Sequence, residues 1–354
     1  MANDVTTYQR EPGRVHTGID EIDELMDLAT NKALCFLCSN PVPKTKQLKE
    51  SVFSPWILDE YGLREQSMYS QDRSITYYGD LKLTACDKCH KIIDKLESEV
   101  KQAILAGPNA VRALDQERLF LWLAKLYHGL FFHDAKLLFN PDNRMFSVFS
   151  YRDVVRGFAL NHMMLKKLVD KVTWNEFPAS IFVFEALTGD EPKQHFDLFD
   201  TPEQPFITLR CGSSFIVAAL QDFSTLAQFN GLEQWPSLAA ADTLRLHPQQ
   251  CTEISAVFRT LLLQHKPARL MLTADGDDYK VTILAPGSIV GLPPVYPWEI
   301  PLYDQILRTM FRVIHNTEIN SPVARTGDMP TLLLDSTGKP LQVPRIDIAI
   351  IGDS

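Results

Sequence analysis

The chain lacks any hydrophobic run long enough to span a membrane. Its 354 residues are 45% hydrophobic and 22% charged, which is close to the composition of an ordinary globular protein. A transmembrane helix needs about 20 consecutive apolar residues, and no segment reaches that length. The composition therefore predicts a soluble protein without a membrane partner, and the length suits two or three compact units.

Cysteine is also scarce, and no apolar secretory signal begins the sequence. Six cysteines in 354 residues are too few for the dense disulfide scaffolds that stabilise small secreted domains. We therefore expect the thiols to be reduced and the protein to be cytoplasmic.

The chain also lacks an excess of positive charge. The chain has 35 basic and 44 acidic residues, which gives a net charge of −9. A protein that coats nucleic acid nonspecifically must neutralise many phosphates, so this balance excludes a general coating protein. Residues 31–101 are nearly neutral, however, with 11 Lys and Arg against 10 Asp and Glu. Six lysines could form a local basic face there, or simply part of a solvated mixed-charge surface; they are Lys44, Lys46, Lys49, Lys88, Lys91 and Lys95.

Four of the six cysteines form two closely spaced pairs, Cys35 with Cys38 and Cys86 with Cys89. Two residues separate the members of each pair, so both thiolates can lie on one tight turn and bind the same tetrahedral ion. A thioredoxin-like redox motif would explain one pair but not two. The spacing predicts a structural zinc site, because four thiolates leave no coordination position open for water.

The pattern of helices and strands predicts an α+β multidomain protein with four parts. An acidic arm at 1–30, with a short amphipathic helix over 17–30, precedes a zinc unit at 31–107. The second cysteine pair opens a helix there, which gives a treble-clef arrangement. A helical scaffold at 108–174 contains an apolar helix over 115–133. Residues 175–354 alternate short β-rich runs and helices, and form an α+β domain of unknown role. Cys211 and Cys251 lie among apolar residues of that domain and are predicted to be buried.

The zinc unit resembles the HNH endonuclease superfamily, in the variety with two CxxC knuckles. The resemblance covers residues 31–100: "KESVFSPWIL" follows the first knuckle, and His90 directly follows the second. It implies that Glu50 on a hairpin strand and His90 on the following helix bind a second divalent cation. It also implies DNA as a partner, and a bacterial defence or mobile-element system as the setting.

One position departs from the HNH pattern. Ser51 stands where the general-base histidine is expected, and a serine hydroxyl cannot act as a base near neutral pH without an activator. Loss of a general base typically costs a factor of about 10²–10⁴ in rate. Three interpretations remain open. The protein could be a degenerate HNH-like protein that binds nucleic acid or protein. It could be a working nuclease with a relocated base, such as His16. It could also be a zinc-knuckle interaction protein that binds no nucleic acid.

Overall fold

The structure is a computed structural model with mixed α/β architecture. It describes residues 8–9, 15–16, 33–69, 74–138, 151–169, 171–190, 195–201, 204–228, 241–264, 269–275, 278–284, 299–315, 317–321, 324–326, 329–335, 337–342 and 347–350. The helix predicted over 17–30 lies outside these residues. None of the helices in the described ranges is long and apolar enough to cross a bilayer.

The regular elements follow one another in two groups. In the first part of the chain they are β1 (Tyr8–Gln9), β2 (Val15–His16), β3 (Leu48–Ser51), α1 (Pro55–Glu60), β4 (Ser67–Tyr69), β5 (Ile75–Tyr77), β6 (Lys82–Ala85), α2 (Asp87–Ala106), α3 (Pro108–Ala113), α4 (Gln116–Leu138) and α5 (Tyr151–Leu165). In the second part they are β7 (Val172–Trp174), β8 (Ser180–Ala186), β9 (Phe196–Thr201), β10 (Phe206–Cys211), β11 (Ser214–Ala219), α6 (Thr225–Gln228), β12 (Arg245–Leu246), α7 (Pro248–Leu263), β13 (Arg269–Asp275), β14 (Asp278–Leu284), α8 (Ile300–His315), β15 (Thr317–Ser321), β16 (Ala324–Thr326), β17 (Met329–Thr331) and β18 (Asp347–Ile350).

A two-stranded antiparallel sheet followed by a helix organises the N-terminal part. In this sheet β3 pairs with β6, so that Ser51 lies opposite Lys82. Cys86 is the N-cap residue of α2, which confirms the prediction that the second cysteine pair opens a helix. Gly107, with a φ of 100°, ends α2 in a conformation that residues with side chains rarely adopt. With α1, β4 and β5 inserted between its two strands, this sheet and the helix after it form a ββα unit, with one cysteine pair before β3 and the other after β6.

Helix α4 is the central buried helix, as its nearly continuous apolar pattern predicts. Asp115 caps it, because its Oδ1 accepts hydrogen bonds from the amides of Glu117 at 2.7 Å and Arg118 at 3.2 Å. Trp122 and Tyr127 are among the largest fully buried side chains. The helix thus provides a rigid surface on which β3 and α2 pack.

The largest sheet has five strands in the order β12-β8-β11-β10-β9, and it is covered on both faces. All six residues of β10 and all six of β11 are buried. Ile207 and Ile216 face the core that contains α2 and α4. Phe206 and Phe215 face a second core built on α7 and α8. The two strands meet at a tight turn in which Gly212 has a φ of 60°.

Two fully buried polar side chains of helix α7 form hydrogen bonds with residues 331, 332 and 341 near the C-terminus. Gln250 Nε2 donates to Leu332 O at 3.0 Å and to Leu341 O at 2.8 Å. Glu253 accepts hydrogen bonds from Thr331 Oγ1 at 2.6 Å and from the amide of Leu332. Burial raises the pKa of Glu253 to about 7.

One buried cluster continues across the predicted domain boundaries after residues 107 and 174. It includes the zinc-unit residues Cys35 and Cys89, Trp122 of α4 and Leu209 of the large sheet. Residues from three of the predicted parts therefore share one hydrophobic core. The division into separate domains stays a prediction.

Gly129 on α4 allows this helix to approach the end of β3 closely. A Cβ atom at residue 129 would lie 2.6 Å from both Cγ atoms of Val52, and Val52 is fully buried. Gly129→Ala is therefore expected to destabilise the protein by about 1–3 kcal/mol through overpacking. This loss outweighs the gain of at most about 1 kcal/mol from the helix propensity of alanine.

A second helical glycine provides the matched control. At Gly157 on α5 the nearest atom to an added Cβ, the Cγ of Pro205, lies at an ordinary 3.4 Å. Gly157→Ala is expected to be neutral or to stabilise the protein by up to about 1 kcal/mol. Urea denaturation of the two variants measures the difference, and equal unfolding midpoints would contradict the close approach at Gly129.

Candidate metal centres

The four paired cysteines converge, as their spacing predicts. Cys35 and Cys38 lie on a turn closed by the bond from the Cys35 amide to Asn40 O at 2.9 Å, and Cys86 and Cys89 lie at the start of α2. The four Sγ atoms are all within 4.8 Å of one another. The Cys38 and Cys86 sulfurs are 3.9 Å apart. Tetrahedral zinc with bonds of about 2.3 Å requires a sulfur–sulfur separation of about 3.8 Å, so the cluster is compatible with a zinc site.

The state of the sulfurs agrees with a metal-binding role. All four are free thiols, so no disulfide competes for them. Hydrogen bonds from the Cys38 and Cys89 thiols lower the pKa of Cys35. The amide of Cys86 also points at the Cys35 sulfur, at an N···S distance of 3.4 Å. Hydrogen bonds with Cys35 in turn raise the pKa of the Cys38 and Cys89 thiols, so the cluster favours the thiolate, which is the form that binds metal, at Cys35.

A histidine from α5 supports the first cysteine turn. His162 on α5 is buried, and its Nε2 donates to Phe36 O at 2.6 Å. Burial lowers the pKa of His162 to about 3, so the ring is neutral and keeps one N–H for this bond. His128 stacks against it with ring centroids 5.1 Å apart. No spacing in the sequence signals the contact, because 126 positions separate its two residues.

The second candidate centre forms where β3 faces the start of α2. Glu50 Oε2 lies 2.6 Å from His90 Nδ1, which joins the two residues that the HNH resemblance selects. Asp94, one helical turn after His90, lies 3.4 Å from His90 Nε2. One ligand atom from each of the three residues lies within 4.8 Å of the others. Asp94 is not among the residues predicted from the sequence. It follows His90 by four residues on a predicted helix, and this spacing places the two side chains on the same helix face.

The environment of Glu50 differs sharply from that of Asp94. Glu50 is 3% exposed, whereas Asp94 is 59% exposed, so the site has a buried end and an open end. Burial raises the pKa of Glu50, and this is opposed by the nearby Lys125 charge and the hydrogen bond from His90. The same hydrogen bond raises the pKa of His90.

A buried lysine of α4 lies directly behind this site. Lys125 Nζ is 2.7 Å from Glu97 Oε1 and 3.8 Å from Glu50 Oε1. It also donates to the backbone carbonyls of Ser51 at 2.5 Å and Val52 at 2.8 Å. Two carboxyl groups, those of Glu50 and Glu97, thus face one ammonium, whereas Asp94 lies on the exposed side of His90.

Ser51, which stands where the HNH resemblance implies a general base, is hydrogen-bonded to a lysine of the neighbouring strand. Lys82 Nζ donates to Ser51 Oγ at 2.6 Å across the β3–β6 pair. Burial and the Arg64 charge lower the pKa of Lys82. His133 on α4 also reaches this strand, because its Nε2 lies 3.1 Å from the Lys82 amide nitrogen. His16, the other base considered, lies on β2, and its side chain is not among those described.

Among the described residues, the other two cysteines belong to no group of possible metal ligands. Cys211 and Cys251 are buried, as predicted, and burial raises the pKa of both thiols. A raised thiol pKa reduces the reactive thiolate, which agrees with a packing role.

Comparison with protein-family models, with curated protein sequences and with solved structures found no match. The four-cysteine cluster is compatible with zinc, and Glu50, His90 and Asp94 form a second group able to hold a cation.

Proposed function

We propose that this protein binds nucleic acid through a zinc-stabilised, HNH-like ββα region. In this proposal Glu50, His90 and Asp94 hold a second divalent cation against a backbone phosphate. The contact that carries the proposal is the 2.6 Å approach of Glu50 to His90. A strand residue and a helix residue meet there, as the HNH resemblance implies for cation ligands.

The chemistry of the donors suits a hard divalent cation. Carboxylates are typical ligands for Mg²⁺ and Mn²⁺, and an imidazole is a typical ligand for Ni²⁺. When bound to a scissile phosphate, such a cation can stabilise the charge on a leaving oxygen. The open, Asp94 side of the site leaves room for a phosphate, and the six lysines named above are all exposed. These features support contact with a nucleic-acid backbone.

We further propose that cleavage is weak or absent. Ser51 occupies the position of the expected base, and its hydroxyl accepts a hydrogen bond from Lys82. A serine held by an ammonium group cannot take a proton from water, whereas that ammonium can pair with a phosphate oxygen. Binding without efficient hydrolysis follows. A role in bacterial defence or in a mobile element stays a prediction from the resemblance.

Binding of duplex DNA across a salt series tests the first part of the proposal. Affinity is expected to fall steeply with salt, with a logarithmic slope of about −0.9 for each phosphate contacted. Lys82→Ala is expected to reduce the steepness of this slope by about one unit. The matched control is Lys101→Ala, since Lys101 is exposed on α2, about three turns beyond His90, and this change is expected to have no effect. Absence of DNA binding at low salt would contradict the proposal.

Plasmid incubation with Mg²⁺, Mn²⁺ or Ni²⁺ tests the enzymatic part. Wild-type protein is expected to nick DNA slowly or not at all. Any cleavage that does occur should be lost in Glu50→Ala, His90→Ala and Asp94→Ala. Cleavage that is unaffected by all three changes would dismiss these residues as cation ligands.

Two alternatives make different predictions in these assays. A nuclease with a relocated base would cleave plasmid efficiently. His133 is then the first base to test by substitution, because it contacts Lys82 directly across from Ser51. The second alternative is an interaction protein without nucleic-acid affinity. The net charge of −9 supports this alternative, which predicts no DNA binding at any salt concentration.

A further inference from the structure

A single buried ammonium group connects the two elements that carry the proposed cation ligands. Lys125 Nζ donates to Ser51 O and Val52 O at the end of β3, and to Glu97 Oε1 on α2. Glu50 lies on β3, and His90 lies on α2. Lys125 itself belongs to α4, beyond the segment that resembles HNH proteins.

Several features indicate that the contacts of Lys125 with β3 and α2 are a specific part of the structure. The side chain of Lys125 is fully buried, and a buried lysine is costly unless it is paired and hydrogen-bonded. Its three donor positions are matched by three oxygens at 2.5 to 2.8 Å. Gly129, one turn further along α4, allows the helix to come within reach, because an added Cβ there would collide with Val52.

We propose that Lys125 is a positioning residue for the divalent-cation site. It holds the end of β3 against α2, so that the Glu50 carboxylate faces His90 and Asp94. This inference rests on the proposed function, because it assigns a role toward the cation proposed there. It extends the site to a helix outside the motif, and it means that residues 31–107 alone would lack part of the support for Glu50.

The charge of Lys125 and its positioning role have opposite effects on metal affinity, so a substitution at Lys125 can distinguish them. A cation next to a metal site repels the metal, so removing the Lys125 charge should raise metal affinity if charge were its whole contribution. If Lys125 acts by positioning, its removal should lower the affinity. Loss of a group that orients a metal ligand typically costs 10–100-fold.

A charge-neutral double variant separates the two effects. Lys125→Met with Glu97→Gln removes one positive and one negative charge, so the net charge near the site is unchanged while the β3–α2 connection is lost. The control is Arg118→Met with Glu99→Gln. That pair joins the same two helices with a contact of 2.8 Å, and neither of its residues contacts β3 in the ion pairs of the described chain. Zinc content and thermal melting identify the variants that are folded.

The experiment measures Mn²⁺ binding to the zinc-loaded full-length protein. Binding is detected as the loss of the free Mn²⁺ signal in electron paramagnetic resonance. We expect 10–100-fold weaker Mn²⁺ binding for the Lys125/Glu97 variant and wild-type affinity for the Arg118/Glu99 variant, with equal zinc in both. Unchanged or tighter binding in the Lys125/Glu97 variant would overturn the positioning role, as would an equal loss in the control. If wild-type protein binds no Mn²⁺, or if Glu50→Gln binds as well as wild type, the cation site itself fails, and the role of Lys125 fails with it.

Discussion

Replacing Cys89 with serine is expected to release zinc and to destabilise the whole chain. A serine hydroxyl is a poor zinc ligand, and Cys89 is fully buried among the sulfurs of the cluster. Structural zinc contributes about 10–16 kcal/mol of binding free energy in small zinc-dependent peptides. Loss of the ion should therefore lower the free energy of unfolding by more than about 4 kcal/mol.

Elemental analysis and thermal denaturation check this expectation. We expect about one zinc per wild-type chain, as the four-thiolate cluster predicts, and almost none in Cys89→Ser. Cys251→Ser is the matched control, because Cys251 is also buried but lies on α7 outside the cluster. It should keep its zinc and lose only about 1–3 kcal/mol for a buried hydroxyl. Full zinc content in Cys89→Ser would show that the cluster does not bind the metal.

Introducing a histidine at position 51 is expected to create or strongly increase DNA cleavage. In the proposed site, Ser51 follows the ligand Glu50 and occupies the position of the missing base. Combining Ser51→His with Lys82→Ala provides room for the ring, because the Lys82 ammonium lies 2.6 Å from the Ser51 oxygen. A positioned imidazole can accept a proton from water near neutral pH, and a general base typically contributes a factor of about 10²–10⁴ in rate.

Nicking of supercoiled plasmid with Mn²⁺ or Mg²⁺ measures the gain. The Lys82→Ala single variant controls for the loss of the ammonium, and it should remain as inactive as wild type. Adding Glu50→Ala to the histidine variant should remove the new activity, because the cation would lose its buried ligand. A histidine variant that cleaves no faster than Lys82→Ala would argue that residue 51 does not face a bound phosphate.

The sequence predicts the cysteine cluster well because ligand spacing is a local property. Two residues between paired cysteines fix the geometry of each turn, and a helix start after Cys86 follows from the apolar periodicity of α2. The contact between Glu50 and His90 follows from the motif order in the same way. Asp94 could have been found by extending the helical spacing one turn beyond His90.

Lys125 and His162 could not have been identified from the sequence. Their decisive partners are 28 to 126 positions away, and nothing local records such contacts. A lysine in an apolar helix usually extends its charged end to solvent, so the pattern of α4 gives no sign of an ammonium fully enclosed in protein. The same reason limits the prediction of domain boundaries, because a shared core depends on which distant surfaces meet.

The continuity of the core between the cysteine cluster and the large sheet has a consequence for turnover of the protein. Cys35 and Cys89 pack in the same buried cluster as Ile207 and Ile216. In the proposed zinc-bound protein, loss of the ion when zinc is scarce would uncover apolar surface in both halves of the chain. Zinc supply would then determine the lifetime of the entire polypeptide in the presence of proteases, including the half that has no metal ligand in the cluster.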